Sequence, residues 1–170
     1  MSAVLDAEVV QLSIVTKDGV FVAHYSSSGL CALDFPSSRN GKKRDASKVP
    51  ENVRTWHRLT SAAVKKILAG QTPVELPPLD LSHGTEFQLC VWKSLLKIKP
   101  GRTQSYGEIA KSIGKPKAVR AVGGACGANP IPLLVPCHRV LAANGKIGGF
   151  SGGLGWKEKL LAREGVSVVG

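Results

Sequence analysis

The chain is poor in several features that would place it in a familiar class. Its 170 residues hold four cysteines, Cys31, Cys90, Cys126 and Cys137, with no CxxC pair among them. Scattered thiols argue against a disulfide framework and for reduced cysteines inside a cell. His24, Cys31, His57, His83 and Cys90 lack close ligand pairs, so no metal and no other cofactor is expected. No apolar run approaches the roughly 18 residues that cross a bilayer. Met1 to Asp6 carries no basic stretch followed by an apolar one, so no secretory leader is expected either. Acidic residues are scarce, 12 Asp+Glu against 23 Lys+Arg, for a net charge of +11. A surplus that large favours a polyanionic partner, although a basic face can also serve solubility alone.

Apolar residues make up 43% of the chain, enough for the core of one ordinary domain or two small ones. The first third reads as antiparallel strands. Glu8 to Val15 and Val20 to Tyr25 flank Lys17-Asp-Gly19, a hairpin signal, and a third apolar run covers Leu30 to Phe35. Residues 36–50 are polar and basic and read as an exposed loop; Lys42-Lys-Arg44 within it is too short for a firm import signal. A helix is expected from Glu51 to Ala69, closed by Gly70 at C′. The proline-rich stretch Thr72 to Asp80 reads as a linker.

Beyond it the pattern turns helical. Thr85-Glu-Phe-Gln88 is a capping box for a helix with Phe87, Val91, Leu95 and Ile98 on one face, stopped by Pro100-Gly101. Ser105-Tyr-Gly-Glu108 is a second capping box, starting a short helix through Ile109, Ala110 and Ile113. Gly114-Lys-Pro116 breaks it, with Pro116 expected as the first residue of a third helix reaching Gly127. The expected fold is α+β: a small N-terminal antiparallel sheet with a helix, then a mostly helical part with a helix-turn-helix, winged-helix-like.

Charge follows the same division. Residues 1–79 carry 10 Lys/Arg against 7 Asp/Glu, while residues 80–170 carry 13 against 5. The third helix adds an unusual face. Val119, Val122 and Cys126 can pack inward, whereas Arg120, Gly123, Gly124 and Gly127 leave another side with one long cation and no other bulk. Glycine costs a helix about 1 kcal/mol relative to alanine, so this cluster needs a reason. Either the backbone approaches another surface, such as a DNA minor groove about 6 Å wide, or it packs tightly inside the core.

The same half contains Ile131-Pro-Leu-Leu-Val-Pro-Cys-His-Arg-Val140, which sets Cys137 against His138 and Arg139 inside a proline-bounded loop. A thiol attacks only as thiolate, and a free cysteine titrates near about pH 8.5, so a nucleophilic cysteine needs an adjacent base or cation. An arbitrary Cys-His pair is more often a small buried cysteine beside an idle histidine.

Five segments weigh against that bland reading. Ser105-Tyr-Gly-Glu-Ile-Ala110, Ala118-Val-Arg-Ala-Val-Gly-Gly124, Asn129-Pro130, Pro136-Cys-His-Arg-Val140 and Gly148-Gly-Phe-Ser-Gly-Gly153 stand in order across residues 80–165. They resemble the successive signatures of the O6-alkylguanine-DNA alkyltransferases, the methylated-DNA–protein-cysteine methyltransferases. The resemblance implies an N-terminal α/β domain of ribonuclease-H-like layout over 1–79. Residues 80–170 would then form a DNA-binding and alkyl-acceptor domain.

It also implies a single-turnover methyltransferase that reverses O6-alkylguanine damage, with O4-alkylthymine as a second substrate. By this resemblance Cys137 is the alkyl acceptor, His138 deprotonates it through a water, Glu164 orients His138 and Asn129 braces the turn. Tyr106 assists at guanine N3, Arg120 fills the gap left by a flipped nucleotide, and Val140 and Ser151 contact the guanine edge. Phe150 covers the base where some relatives have tyrosine, Gly123 and Gly124 admit the DNA, and Gly127 replaces a second basic residue found in some relatives. The implied partner is double-stranded DNA at its minor groove, with no membrane. A monomer is expected, in the nucleus of a eukaryote or the cytoplasm of a prokaryote. The competing readings are a non-catalytic helix-turn-helix DNA-binding or damage-sensing protein, and a cysteine hydrolase built on Cys137, His138 and Glu164.

Overall fold

A computed structural model describes residues 9–37, 48–148 and 153–168. Most of the basic loop, with Lys42 to Arg44, lies outside them, as do Phe150 and Ser151.

Three antiparallel strands begin the fold: β1 (Val10–Thr16), β2 (Gly19–Tyr25) and β3 (Leu30–Asp34), in the order β1-β2-β3. Thr16 pairs with Gly19, so Lys17 and Asp18 form the hairpin turn. Period-two alternation sends Phe21, Ala23 and Tyr25 into the core with Ile14, Leu30 and Leu33. Helix α1 (Glu51–Leu68) buries Val53, Ala63, Val64 and Ile67 at helical spacing. Gly70, at φ +72°, ends it as expected, with its N–H bonded to the Ile67 carbonyl and that of Gln71 to Lys66.

The proline-rich stretch is not a free linker. Leu30 donates to the Pro78 carbonyl at 2.8 Å and Asp80 donates to Leu30 at 2.7 Å, so residues 78–80 run alongside β3. Unpaired backbone groups on an edge strand attract any extended neighbour, proline-rich or not. Further along, Leu33 donates to the Pro130 carbonyl at 3.0 Å, which ties the sheet to the loop carrying Cys137. One apolar core runs through both halves, from Ile14 and Phe21 to Leu160.

Helix α2 (Glu86–Leu95) opens with both halves of the Thr85/Gln88 capping box. It stops five residues before Pro100, because tight i→i+3 bonds from Lys97 to Ser94 and from Ile98 to Leu95 take over. Val91, Leu95 and Ile98 are buried as the pattern requires. Strand β4 (Gln104–Ser105) leads into α3 (Tyr106–Ser112), where Ser105 Oγ accepts the Glu108 N–H at 3.0 Å, the first half only of the expected capping box. Helix α4 (Val119–Gly127) starts later than expected. Pro116 sits in the preceding turn, closed by Ala118 N–H to Lys115 O at 2.9 Å. Val122 and Cys126 pack inward, but Val119 in the first turn is 42% exposed, contrary to its expected place in the core. A single 3₁₀ turn (Cys137–Arg139), β5 (Val140–Leu141), a second short 3₁₀ turn (Ala143–Gly145) and α5 (Leu154–Arg163) complete the order. No helix among the described residues is long and apolar enough to cross a membrane.

Candidate active site

The loop from Asn129 to Cys137 is braced by its own hydrogen bonds. Asn129 Nδ2 donates to the Val135 carbonyl at 2.8 Å, and Asn129 Oδ1 accepts from Ile131 N–H at 3.0 Å. Leu133, at φ +75°, bends the chain in a conformation that branched or bulky residues rarely adopt, while its side chain is buried. Pro136, at φ −82° and ψ 65°, centres an inverse γ-turn closed by Cys137 N–H to Val135 O at 2.8 Å. Two prolines and a doubly bonded asparagine therefore fix the backbone before the thiol.

Cys137 itself is buried, and so are His138 and Arg139. Burial pushes the Cys137 thiol up, while a hydrogen bond from Asn129 and the charge of Lys157 pull it back. His138 Nε2 lies 3.1 Å from Glu164 Oε1. Burial drives His138 toward its neutral form, Glu164 opposes that, and the cations Arg139 and Lys157 reinforce it. Burial would raise Glu164, but hydrogen bonds from His138 and Arg139 overcome it and hold its carboxyl at about 2. The site thus contains a neutral imidazole facing a permanent carboxylate. That is the arrangement a general base needs.

Glu164 reaches this position through helix termination. It caps α5, and Gly165 at φ +80° follows at C′. Gly165 N–H bonds to Ala162 O at 3.0 Å and Val166 N–H to Leu161 O at 2.9 Å, the paired bonds of a Schellman motif. Glycine at 165 is what allows the chain to turn there.

Tyr106 is delivered by the parallel pairing of β4 with β5, in which Gln104 faces Val140 and Ser105 faces Leu141. Its hydroxyl approaches Gly148 so closely that a Cβ there would lie 3.0 Å from it. Tyr106 is half-buried, and its hydroxyl is raised by burial and by both nearby thiols, Cys126 and Cys137. Cys137, His138, Glu164, Asn129, Tyr106 and Val140 therefore converge. Arg120, Gly123 and Gly124 stand apart on the outer face of α4, and Phe150 and Ser151 fall outside the described residues.

On that outer face, a Cβ at Gly123, Gly124 or Gly127 would meet no heavy atom within 4 Å. Tight packing inside the core is excluded as the reason for these glycines. Arg120 is exposed beside them, and Lys115 and Lys117 are exposed in the turn that precedes the helix.

Two site residues carried no assigned role in the sequence. Arg139 donates from Nε and Nη2 to Glu164, at 2.8 Å from Nη2, and from Nη1 to the Ile98 carbonyl at 2.8 Å. Its guanidinium shares the carboxylate with His138. Lys157 is fully buried, with its ammonium 5.9 Å from the centroid of the Tyr106 ring. The signal was legible: Lys157 stands three and four residues before the buried Leu160 and Leu161, so it is a lysine on an apolar helix face. No group of His, Cys, Asp and Glu among the described residues could hold a metal ion.

Known proteins resemble the chain in sequence and in fold. A family model described as 6-O-methylguanine DNA methyltransferase, DNA binding domain, matches residues 86–166. A relative from Methanosarcina acetivorans, named methylated-DNA–protein-cysteine methyltransferase, is 45% identical over 139 residues, covering 78% of this chain and 85% of that one. A Methanosarcina barkeri protein of the same name is 54% identical over 146 residues, 82% of this chain and 86% of its own. The crystal structure of Mycobacterium tuberculosis OGT in complex with DNA superposes with a TM-score of 0.71 at 38% identity over 91% of each chain. With that likeness along most of its length and Pro136-Cys-His-Arg139 at its centre, the chain belongs to the methylated-DNA–protein-cysteine methyltransferase family.

Proposed function

We propose that this chain repairs DNA by direct reversal, as a stoichiometric methylated-DNA–protein-cysteine methyltransferase. One alkyl group passes from O6-alkylguanine, or from O4-alkylthymine, to Cys137. The observation that carries the reading is a buried thiol followed by a neutral histidine whose Nε2 meets an ionised, buried Glu164 at 3.1 Å. A DNA-binding sensor without chemistry would account for the charge and the helix-turn-helix, but it would have no use for that arrangement.

The chemistry follows in order. An alkyl group on guanine O6 is buried in the stack, so the nucleotide is extruded at a cost of a few kcal/mol. The glycine-smooth face of α4 enters the minor groove, and Arg120 fills the space left behind. Exposed Lys115 and Lys117 meet the phosphates. His138 takes the Cys137 proton through a water, and Glu164 stabilises the imidazolium. The Cys137 sulfur then attacks the alkyl carbon, the carbon–O6 bond breaks, and its electron pair stays on guanine. Tyr106 donates to N3 as that charge develops, and the proton released by the thiol ends on the departing base. Val140 and Ser151 hold the guanine edge and Phe150 covers its face. The thioether has no ready leaving group, so the protein is spent.

In this reading residues 80–170 bind DNA and accept the alkyl group, residues 1–79 support them, and the protein works as a monomer without cofactor. A reduced thiol is its reagent, which suits the interior of a cell, in whichever of nucleus or cytoplasm holds the DNA.

The test is to incubate the protein with duplex DNA bearing labelled O6-methylguanine and count the label per chain. Saturation at one label, abolished by Cys137→Ala, is the expected result; continuing turnover, or DNA binding without transfer, defeats the proposal. Arg120→Ala should slow repair of duplex DNA far more than reaction with free O6-benzylguanine. Equal losses on both substrates would make Arg120 a support of the fold.

A further inference from the structure

Arg163 closes α5 one residue before Glu164, and its side chain reaches the N-terminal half. Nη1 and Nη2 donate to the two carboxylate oxygens of Asp18 at 2.9 and 2.7 Å. Nη1 also donates to the Leu68 carbonyl at 2.9 Å. Asp18 lies in the β1–β2 turn and Leu68 ends α1, so one guanidinium holds the sheet and the first helix together at the end of α5. The backbones fit as closely. A Cβ on Gly70 would lie 2.2 Å from the Arg163 carbonyl oxygen, so only glycine admits this approach. The hydrogen bond from Arg163 holds the Asp18 carboxyl below its ordinary value against the effect of burial, and Lys159 and Lys17 add to it. At the next residue, the Glu164 carboxylate meets His138, Arg139 and the Gly101 N–H.

We infer that Arg163 and Asp18 are positioning residues for alkyl transfer: by fixing the last turn of α5 to the N-terminal sheet, they set where Glu164 holds His138. The inference rests on the alkyl-transfer reading above. A bidentate guanidinium–carboxylate pair fixes direction as well as distance, which a single hydrogen bond or a lysine does not. Glu164 has to meet Nε2 of a ring held rigidly by its own loop, so a displaced helix end is felt at once. The N-terminal half thereby acts on the chemistry without touching the substrate.

The experiment follows alkyl transfer from free O6-benzylguanine, which removes DNA contacts, across pH in wild type, Asp18→Asn, Arg163→Gln and the double variant. All are held well below their melting temperatures. The charged and titrating groups that face the reacting pair are left unsubstituted: Glu164 at the end of α5, Lys157 within it, Arg139 from the same turn as the pair, Cys126 from α4 and Tyr106 from α3. The two single variants change the local charge in opposite directions. Long-range electrostatics would therefore shift the rising limb of the pH profile in opposite directions.

Mispositioning of Glu164 predicts the same direction for both: a limb moved to higher pH, a loss of about tenfold at pH 7, and recovery in alkali. The double variant should lose no more than the worse single one. Opposite shifts, or an unmoved limb with only a lower melting temperature, overturn the proposal. Should Arg163→Gln fail to fold, Asp18→Asn decides alone, since it alters one turn residue.

The NMR signal of the His138 ring reads the same link without any transfer. A shift of that signal in Asp18→Asn, in a wild type that transfers nothing, would uphold the link and defeat the alkyl-transfer reading. An unshifted signal in a wild type that does transfer would do the reverse.

Discussion

His138 is buried and His57 half-buried, and burial drives both toward the neutral form. What meets their ring nitrogens differs. His57 Nε2 lies 3.1 Å from the Ser13 carbonyl, which can only accept, so Nε2 carries the proton. Its Nδ1 then accepts from the Tyr25 hydroxyl at 2.8 Å. Both nitrogens are thus satisfied by neutral partners, and a second proton would find no counter-charge in either of them. His138 instead meets the carboxylate of Glu164 on Nε2, with Arg139 and Lys157 as further charges nearby. Burial alone makes a histidine inert. An ionised partner, itself held by a second cation, makes it able to take a proton and keep it.

The largest break in this comparison comes from Glu164→Gln, which keeps shape and removes charge. Alkyl transfer should fall on the order of 10⁴-fold, the scale seen when the orienting carboxylate of a nucleophile–base pair is neutralised. The same change leaves the Arg139 guanidinium buried without its partner and should cost about 3–5 kcal/mol of stability. Label transfer on the folded variant and a thermal melt check the two parts. A variant that kept nearly full transfer would show that His138 needs no anion, and the two histidines would differ only in access to the thiol.

The parts of this site that were legible in the sequence are those set by near neighbours. Thr85 and Gln88, Ser105 and Glu108, and Gly70 after Leu68 announce helix ends within four residues, and each was found in place. Cys137 and His138 are adjacent, and the order of the five segments carried their context. What stayed hidden depends on the chain returning from afar. Nothing within 20 residues of Arg139 shows that it shares Glu164 with His138, or that Arg163 reaches Asp18. Residues 78–80 look like a linker because proline suppresses local structure, yet an open strand edge took them up. Pro116 suits a helix start in isolation, but the Ala118–Lys115 turn moved that start to Val119.

Lys157 offers an intermediate test of the contrast, since His57 has no cation among the causes of its shift. Burial depresses the Lys157 ammonium and the two thiols work against that, so its charge favours the thiolate of Cys137. Lys157→Met should raise the thiol, move the rising limb of the pH profile upward and slow transfer at pH 7. Because the variant replaces a desolvated charge with an apolar chain of similar length, stability should hold or increase. Slower chemistry in a protein at least as stable separates an electrostatic role from a structural one. A lower melting temperature with an unshifted profile would assign Lys157 to packing under Tyr106.

The smallest effect belongs to the other histidine, and it is read in stability. A histidine whose folded pKa lies below its unfolded value binds fewer protons folded than unfolded. Its stabilising effect is complete above the ordinary value near about 6.5 and is lost as pH falls through and below it. His57 and His138 both act in this window. Glu164, held at about 2, adds a separate loss only below the ordinary carboxylate range. Removing one histidine should therefore flatten the first window without touching the second. His57→Gln should cost about 1 kcal/mol at pH 7.5 through the altered bonds to Tyr25 and Ser13. It should lose less of its melting temperature than wild type between pH 7 and pH 5, and transfer its alkyl group at the wild-type rate. If that rate fell with the stability, the N-terminal histidine would be acting on the site as well as on the fold, and the distinction between the two residues would be one of degree.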